Sequence, residues 1–156
     1  MQKNLSNKTL AQILNTKWTG DIPTDEDSSV NRHLYYLYNT PIYRYGIEDI
    51  RFIIGQEILL EVFVPIALDI LYDNILAEGD FYEGDLLYYV LTINPNYWAN
   101  NSCQLIKFIG LLLKYQETID SYDVPRSLKR SYDEFIKKWV SPKTQLQAYT
   151  LKHTIS

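Results

Sequence analysis

Residues 57–74, EILLEVFVPIALDILYDN, constrain the fold more than any other stretch of this chain. Glu57, Glu61, Asp69 and Asp73 fall in one four-residue register, Pro65 fills the gap, and nearly everything between them is apolar. In a helix, that spacing gathers the carboxylates into a single narrow ridge and turns the rest of the surface inward. A helix so apolar has to be the buried centre of its domain. Pro65 either kinks it or begins a second helix at that point. Like charges four residues apart cost roughly 0.2–0.5 kcal/mol per pair in an isolated helix, so the ridge opposes local stability slightly. It reads either as an ordinary solvated face or as a surface kept for cations.

The flanking segments are also helical in pattern. Ser6 is placed to cap a short helix through LAQIL that ends near Asn15. TGDIPTDEDSS is polar and rich in turn residues, so it reads as a loop. Asp27 or Ser28 then caps a helix through VNRHLYYLY that must stop before Pro41. PIYRYG is a connector, and IEDIRFIIG is a helix whose first-turn acids suit the macrodipole. DLLYYVLTI makes another helix, and NPNYW a turn or short helix. Gln104 to about Tyr122 reads as one long amphipathic helix with Lys107, Lys114, Glu117 and Ser121 on its polar side. Pro125 can start a last helix through RSLKRSYDEFIKKW, followed by the tail SPKTQLQAYTLKHTIS. DILYDNIL and YYVLTI hold enough β-branched and aromatic residues to leave strand readings open. The consistent expectation is an all-α, single-domain bundle of about six to eight helices, and 156 residues suffice for one real core.

Charge is distributed unevenly. Residues 46–85 hold ten acids (Glu48, Asp49, Glu57, Glu61, Asp69, Asp73, Glu78, Asp80, Glu83, Asp85) against one base, Arg51, for a net −9. Residues 103–156 hold nine bases and five acids, for +4. A block that acidic repels nucleic acid and attracts basic proteins. Fourteen tyrosines suit either a partner surface or a core whose hydroxyls lie at its edge. The longest apolar runs are interrupted by Glu57, Glu61, Asp69 and Lys107, so neither is a plausible membrane span. The start lacks the apolar stretch of a signal peptide, and the single cysteine, Cys103, fits a reducing compartment. A cytoplasmic protein is expected.

Catalytic material is sparse. His33 and His153 have neither metal-ligand spacing nor a companion cysteine. His33 reads as a packing or hydrogen-bonding residue and Cys103 as a structural thiol, and there is no Walker loop, GxSxG elbow or dinucleotide fingerprint. The one enzymatic candidate is LAEGDFYEGDLL, residues 76–87, where Glu78, Asp80, Glu83 and Asp85 could form a metal-dependent hydrolase centre. Its spacing makes a poor calcium loop, for the terminal bidentate glutamate is missing. Turn chemistry explains the same residues: Gly79 as the left-handed end of the preceding helix, Asp80 as acceptor of turn N–H groups, and Glu83 and Asp85 in the first turn of the next helix. Negative charge there is worth roughly 0.3–1 kcal/mol per group. No cofactor or metal is expected.

Taken in order, IEDIRFIIGQ, VPIALDIL, LAEGDFYEGDLLYYVL and the aromatic pair of NPNYW resemble the immunity proteins of bacterial contact-dependent growth inhibition systems. Trp18, the SSV at 28–30, His33-Leu34 and Pro41 fit the same pattern more loosely, so the resemblance covers about residues 10–98. Two positions depart from it: Glu83 stands where proline is expected, and Gly46 replaces a Ser/Thr cap. The expected organisation is one domain over 1–156, with 99–156 a C-terminal helical extension and tail outside the pattern. The resemblance implies a non-enzymatic, mostly helical protein that binds the C-terminal toxin domain of a neighbour-delivered effector and blocks its active site. Such toxins are often nucleases, whose substrate groove is positive. The implied contact residues are Glu57, Glu61, Asp69 and Asp73 on the ridge, with Glu78, Asp80, Tyr82 and Glu83 on the turn. Discrimination between toxins would then rest on the tyrosine-rich second helix or the C-terminal extension. A generic acidic adaptor for some other basic protein is the remaining alternative.

Overall fold

The computed structural model describes residues 5–121 and 123–142; Tyr122 and the tail from residue 143, with His153, lie outside them. The described residues form nine α-helices and no strand, so DILYDNIL and YYVLTI are not strands and the all-α class holds. The chain divides into two compact units, Met1–Asp49 and Ile50–Ser156.

In the first unit, α1 (Leu10–Ile13) packs on α2 (Ser29–Asn39). Thr9, not Ser6, caps α1. The Thr9 hydroxyl accepts the Gln12 N–H at 3.3 Å, and the Gln12 side chain accepts the Thr9 N–H at 2.9 Å. This reciprocal box satisfies two donors that Ser6, three residues too early, cannot reach. Ser28 caps α2 by accepting the Asn31 N–H at 3.1 Å, leaving Asp27 to bind the Thr24 N–H at 2.8 Å within the preceding loop. That loop is tied to α2 by Arg32, whose guanidinium donates to the carbonyls of Asp25 and Asp27 at 3.0 and 2.5 Å. Trp18 packs edge-on against Tyr35 and Tyr38 of α2, with ring centroids 5.4 and 5.7 Å apart. After Pro41 a 3-10 turn (Ile42–Arg44) lies beside the residues before α1, through Ile42 N–H to Lys8 O at 3.0 Å.

α3 (Ile47–Gly55) contains the boundary between the units, and its first turn belongs to the first unit. Gly46 has no side chain to cap it, and Asp49 takes over. One Asp49 oxygen accepts the Gly46 N–H at 2.9 Å, and the other pairs with His33 Nε2 at 2.6 Å. His33 is thus the hydrogen-bonding residue its sequence context suggests.

The second unit is built around α4 (Leu60–Asp73), which buries Leu60, Phe63, Val64, Ala67, Leu68 and Leu71. It packs against α5 (Asp85–Leu91) and α7 (Ser102–Lys114); α6 (Pro95–Asn100) also meets α7, and α9 (Arg126–Trp139) covers α5. α4 runs through Pro65 as one helix. It does not reach back to Glu57, because Glu57 and Leu59 adopt left-handed φ values of 52° and 47° that end any helical path there. The single helix expected from Gln104 to Tyr122 is divided. Tyr115 leaves helical dihedrals, and α8 (Gln116–Ser121) follows. The Tyr115 hydroxyl donates to the Tyr72 carbonyl at 2.8 Å, a bond to α4 that local periodicity cannot reveal.

Trp98, Phe108 and Phe135 form the aromatic centre of this unit, with Trp98 stacked on Phe108 at 5.3 Å and Phe135 edge-on to Phe108 at 5.0 Å. Tyr97 and Tyr132 sit at its margin and are buried. Burial, joined by the charge of Glu61, pushes the Tyr97 phenol up to about 12. Burial, with Asp120 and Asp133, takes Tyr132 to about 12 as well.

Gly84, at φ +90°, is the position where a side chain is least tolerable, since a Cβ would meet Leu128 Cδ1 at 2.9 Å and Leu76 Cδ2 at 3.3 Å. Gly84→Ala is expected to destabilise by more than about 1 kcal/mol. Gly110, in the interior of α7 with no neighbour within 4 Å of a Cβ, should instead gain roughly 0.5–1 kcal/mol as alanine. Urea denaturation of both variants checks the opposite signs. The raised phenols bind their protons more tightly in the folded state. Their stabilisation is therefore complete below pH 10, the ordinary tyrosine value, and is lost as pH rises toward about 12. Denaturation midpoints should be flat up to about pH 9 and fall above pH 10, with a smaller fall in Tyr97→Phe.

Candidate interaction surface at the acidic turn

The stretch between α4 and α5 owes its shape to two buried charges. Arg51 is 4% exposed in a stretch of α3 that also buries Ile50, Phe52, Ile53 and Ile54. Asp85, the first residue of α5, is fully buried, with its Oδ2 4.0 Å from Arg51 Nε. The carboxylate is also the hub of the turn. Its Oδ1 accepts the Gly79 N–H at 2.7 Å, and its Oδ2 accepts the Phe81 N–H at 3.1 Å. The guanidinium lies over the rings of Phe81 and Tyr89, 4.4 and 4.6 Å from their centroids. Gly55 makes room for Tyr89, whose ring would lie 2.8 Å from a Cβ there.

Several expectations for this turn are corrected. α4 ends at Asp73, where Asn74 takes over by accepting the Leu76 N–H at 3.1 Å, so Gly79 is not a helix end. The left-handed glycine is Gly84, immediately before α5. Asp85 collects the N–H groups of Gly79 and Phe81 within the turn. Glu83 precedes the Gly84 cap and lies outside the first turn of α5.

Of the expected contact residues, Glu57, Glu61, Asp69, Asp73, Glu78, Asp80 and Glu83 are all exposed. Glu57 leaves the ridge, and its carboxylate accepts the Asn94 N–H at 2.7 Å. Glu61, Asp69 and Asp73 remain on the exposed side of α4. Near Asp73 the ridge meets a cation: Lys114 lies 4.0 Å above the Tyr72 ring, its ammonium pKa raised by a hydrogen bond with Tyr115 and by nearby charges including Asp73. Tyr82 is half-buried, its phenol pushed upward by burial while its hydroxyl bonds Ser127. Beside it Phe81 is 63% exposed. With Arg51 inside, residues 50–85 show seven carboxylates to solvent and no exposed base.

Sequence reasoning missed Arg51, Phe81 and the structural role of Asp85. One signal was available: a lone arginine in an otherwise apolar helix face needs a buried carboxylate partner. The chemistry of the turn is that of a scaffold. Asp85 is spent on the backbone and on Arg51, which takes it from the four-carboxylate hydrolase centre. Among the described residues no group of three or more His, Cys, Asp or Glu is placed to hold a metal. Cys103 is exposed near the start of α7 rather than packed as a structural thiol. No helix among the described residues is long and apolar enough to cross a membrane.

The family model of the CDI immunity proteins matches residues 12–108. The chain belongs to this family. The match spans α1 to the middle of α7 and includes Arg51, the whole acidic turn and Asp85. It extends ten residues beyond the end expected from the motifs, to Phe108. No curated protein and no solved structure matches the chain. In this CDI immunity protein, α8 and α9 lie outside the family segment, yet Leu128, Tyr132 and Phe135 of α9 are core residues.

The buried pair sets an order of sensitivities. Asp85→Ala removes the acceptor of two N–H groups and leaves Arg51 buried without its carboxylate, which should cost about 3–5 kcal/mol. Arg51→Met leaves Asp85 with both N–H donors and should cost less. Urea denaturation measures both, and an equal or reversed order would contradict the role given to Asp85.

Proposed function

We propose that this CDI immunity protein neutralises the C-terminal toxin domain of its cognate effector by tight stoichiometric binding in the cytoplasm. The observation that carries the reading is the family membership joined to the acidic surface of residues 50–85. An enzyme that grips phosphates presents a positive groove. Seven exposed carboxylates on a rigid frame complement such a groove, accelerating association and penalising wrong partners. The toxin is accordingly a basic nuclease whose active site the inhibitor covers. The contact residues are Glu61, Asp69, Asp73, Glu78, Asp80 and Glu83, all exposed. Glu57 contributes less, because its carboxylate is engaged with the Asn94 N–H. Tyr82 contributes its exposed edge.

The test is direct. Calorimetry against the toxin domain encoded immediately upstream should give one-to-one binding well below micromolar, and stoichiometric inhibitor should abolish nucleic-acid cleavage by that toxin. Raising the salt to about 500 mM should weaken binding more than tenfold. Replacing Glu78, Asp80 and Glu83 by their amides should slow association and flatten the salt dependence. Absence of binding at about 10 μM, roughly −7 kcal/mol, would sink the proposal. Binding without loss of toxin activity would favour an acidic adaptor.

A further inference from the structure

Phe81 is unusual for a large apolar side chain. It is 63% exposed at the tip of a turn in which Glu78, Asp80 and Glu83 are also exposed. Its backbone N–H is fixed to the buried Asp85, and the buried guanidinium of Arg51 supports its ring from 4.4 Å. Two charges have been taken out of water to build that support, although apolar residues of similar volume would often stabilise a fold as well or better. An exposed aromatic held in one place has already lost the conformational freedom that binding would otherwise cost. Such pre-ordered aromatics, ringed by polar groups, are what dominate the energy of protein–protein interfaces.

We infer that Phe81 is the apolar anchor of the toxin-binding surface, inserting into an apolar cleft of the toxin whose rim carries lysine or arginine. The inference rests on the proposed function, and charge complementarity commits the occupant: the exposed carboxylates of Glu78, Asp80 and Glu83 flank Phe81 in the chain. The carboxylates around Phe81 would pair with the cationic rim, while the solvent-facing part of the ring receives aliphatic or guanidinium groups from the toxin. Tyr82 is also part of the support, half-buried with its hydroxyl on Ser127.

The experiment uses the full chain and the upstream toxin domain. Phe81→Ala should weaken binding at least tenfold, chiefly through faster dissociation, whereas Tyr82→Phe should stay within about twofold. Unchanged affinity of Phe81→Ala beside tight wild-type binding overturns the anchor and leaves the proposed function standing. Failure of the wild type to bind overturns both. Because Phe81 also covers Arg51, its removal could unfold the turn. Incorporating 4-fluorophenylalanine at position 81 avoids this, since the ring is kept. Its fluorine resonance should shift when toxin is added, and a resonance unmoved at saturating toxin overturns the anchor.

Discussion

The pair of Arg51 and Asp85 is the constraint on which the second unit depends. Asp85 is fully buried, and Arg51 nearly so. Each is unaffordable without its partners, since an isolated charge in that environment costs several kcal/mol even after relaxation. The contacts that satisfy them come from separate pieces of chain: α3 supplies the guanidinium, α5 the carboxylate, and the intervening turn the N–H groups of Gly79 and Phe81. Fixing the pair therefore fixes the register of α3 against α5 and the path of the turn together. The glycines follow from it. Gly55 admits Tyr89 beneath the guanidinium, and Gly84 lets the chain enter α5 close under Leu128 and Leu76.

The same pair shapes the exterior. Residues 46–85 contain one base, and the fold withdraws it from the surface together with a single acid. The net charge of the segment is unchanged, and seven carboxylates of residues 50–85 are left at the surface. Asp73 is among the charges near Lys114 of α7. The tyrosines divide similarly between two uses. Tyr97 and Tyr115 bond backbone carbonyls of α4 with their hydroxyls, whereas Tyr36, Tyr43 and Tyr72 expose their rings.

What could be read from the sequence was local. Ser28 as the cap of α2, Pro125 as the step into α9 and the buried apolar face of α4 all depend on residues within a turn of one another, and all three appear as expected. The readings that failed depend on distant partners. Glu57 fits the ridge by spacing, yet it is diverted to the amide of Asn94, thirty-seven residues away. The helix after Gln104 breaks at Tyr115, whose hydroxyl is held by Tyr72. In EGDFYEGD the two Gly-Asp pairs look equivalent by composition. Only the second has its glycine under Leu128 and its aspartate beside Arg51.

The acidic turn is also joined to a part of the chain that the family pattern does not reach. Gly84 lies against Leu128, and Tyr82 bonds Ser127; both partners are in the first turn of α9. Further along α9, Phe135 closes the aromatic centre over Trp98 and Phe108. The C-terminal helix is thus the surface on which the turn rests, not an appendage to a domain complete by residue 108. A substitution on the buried side of α9 can tilt the turn without altering any exposed carboxylate, because packed interfaces transmit displacement rather than absorb it.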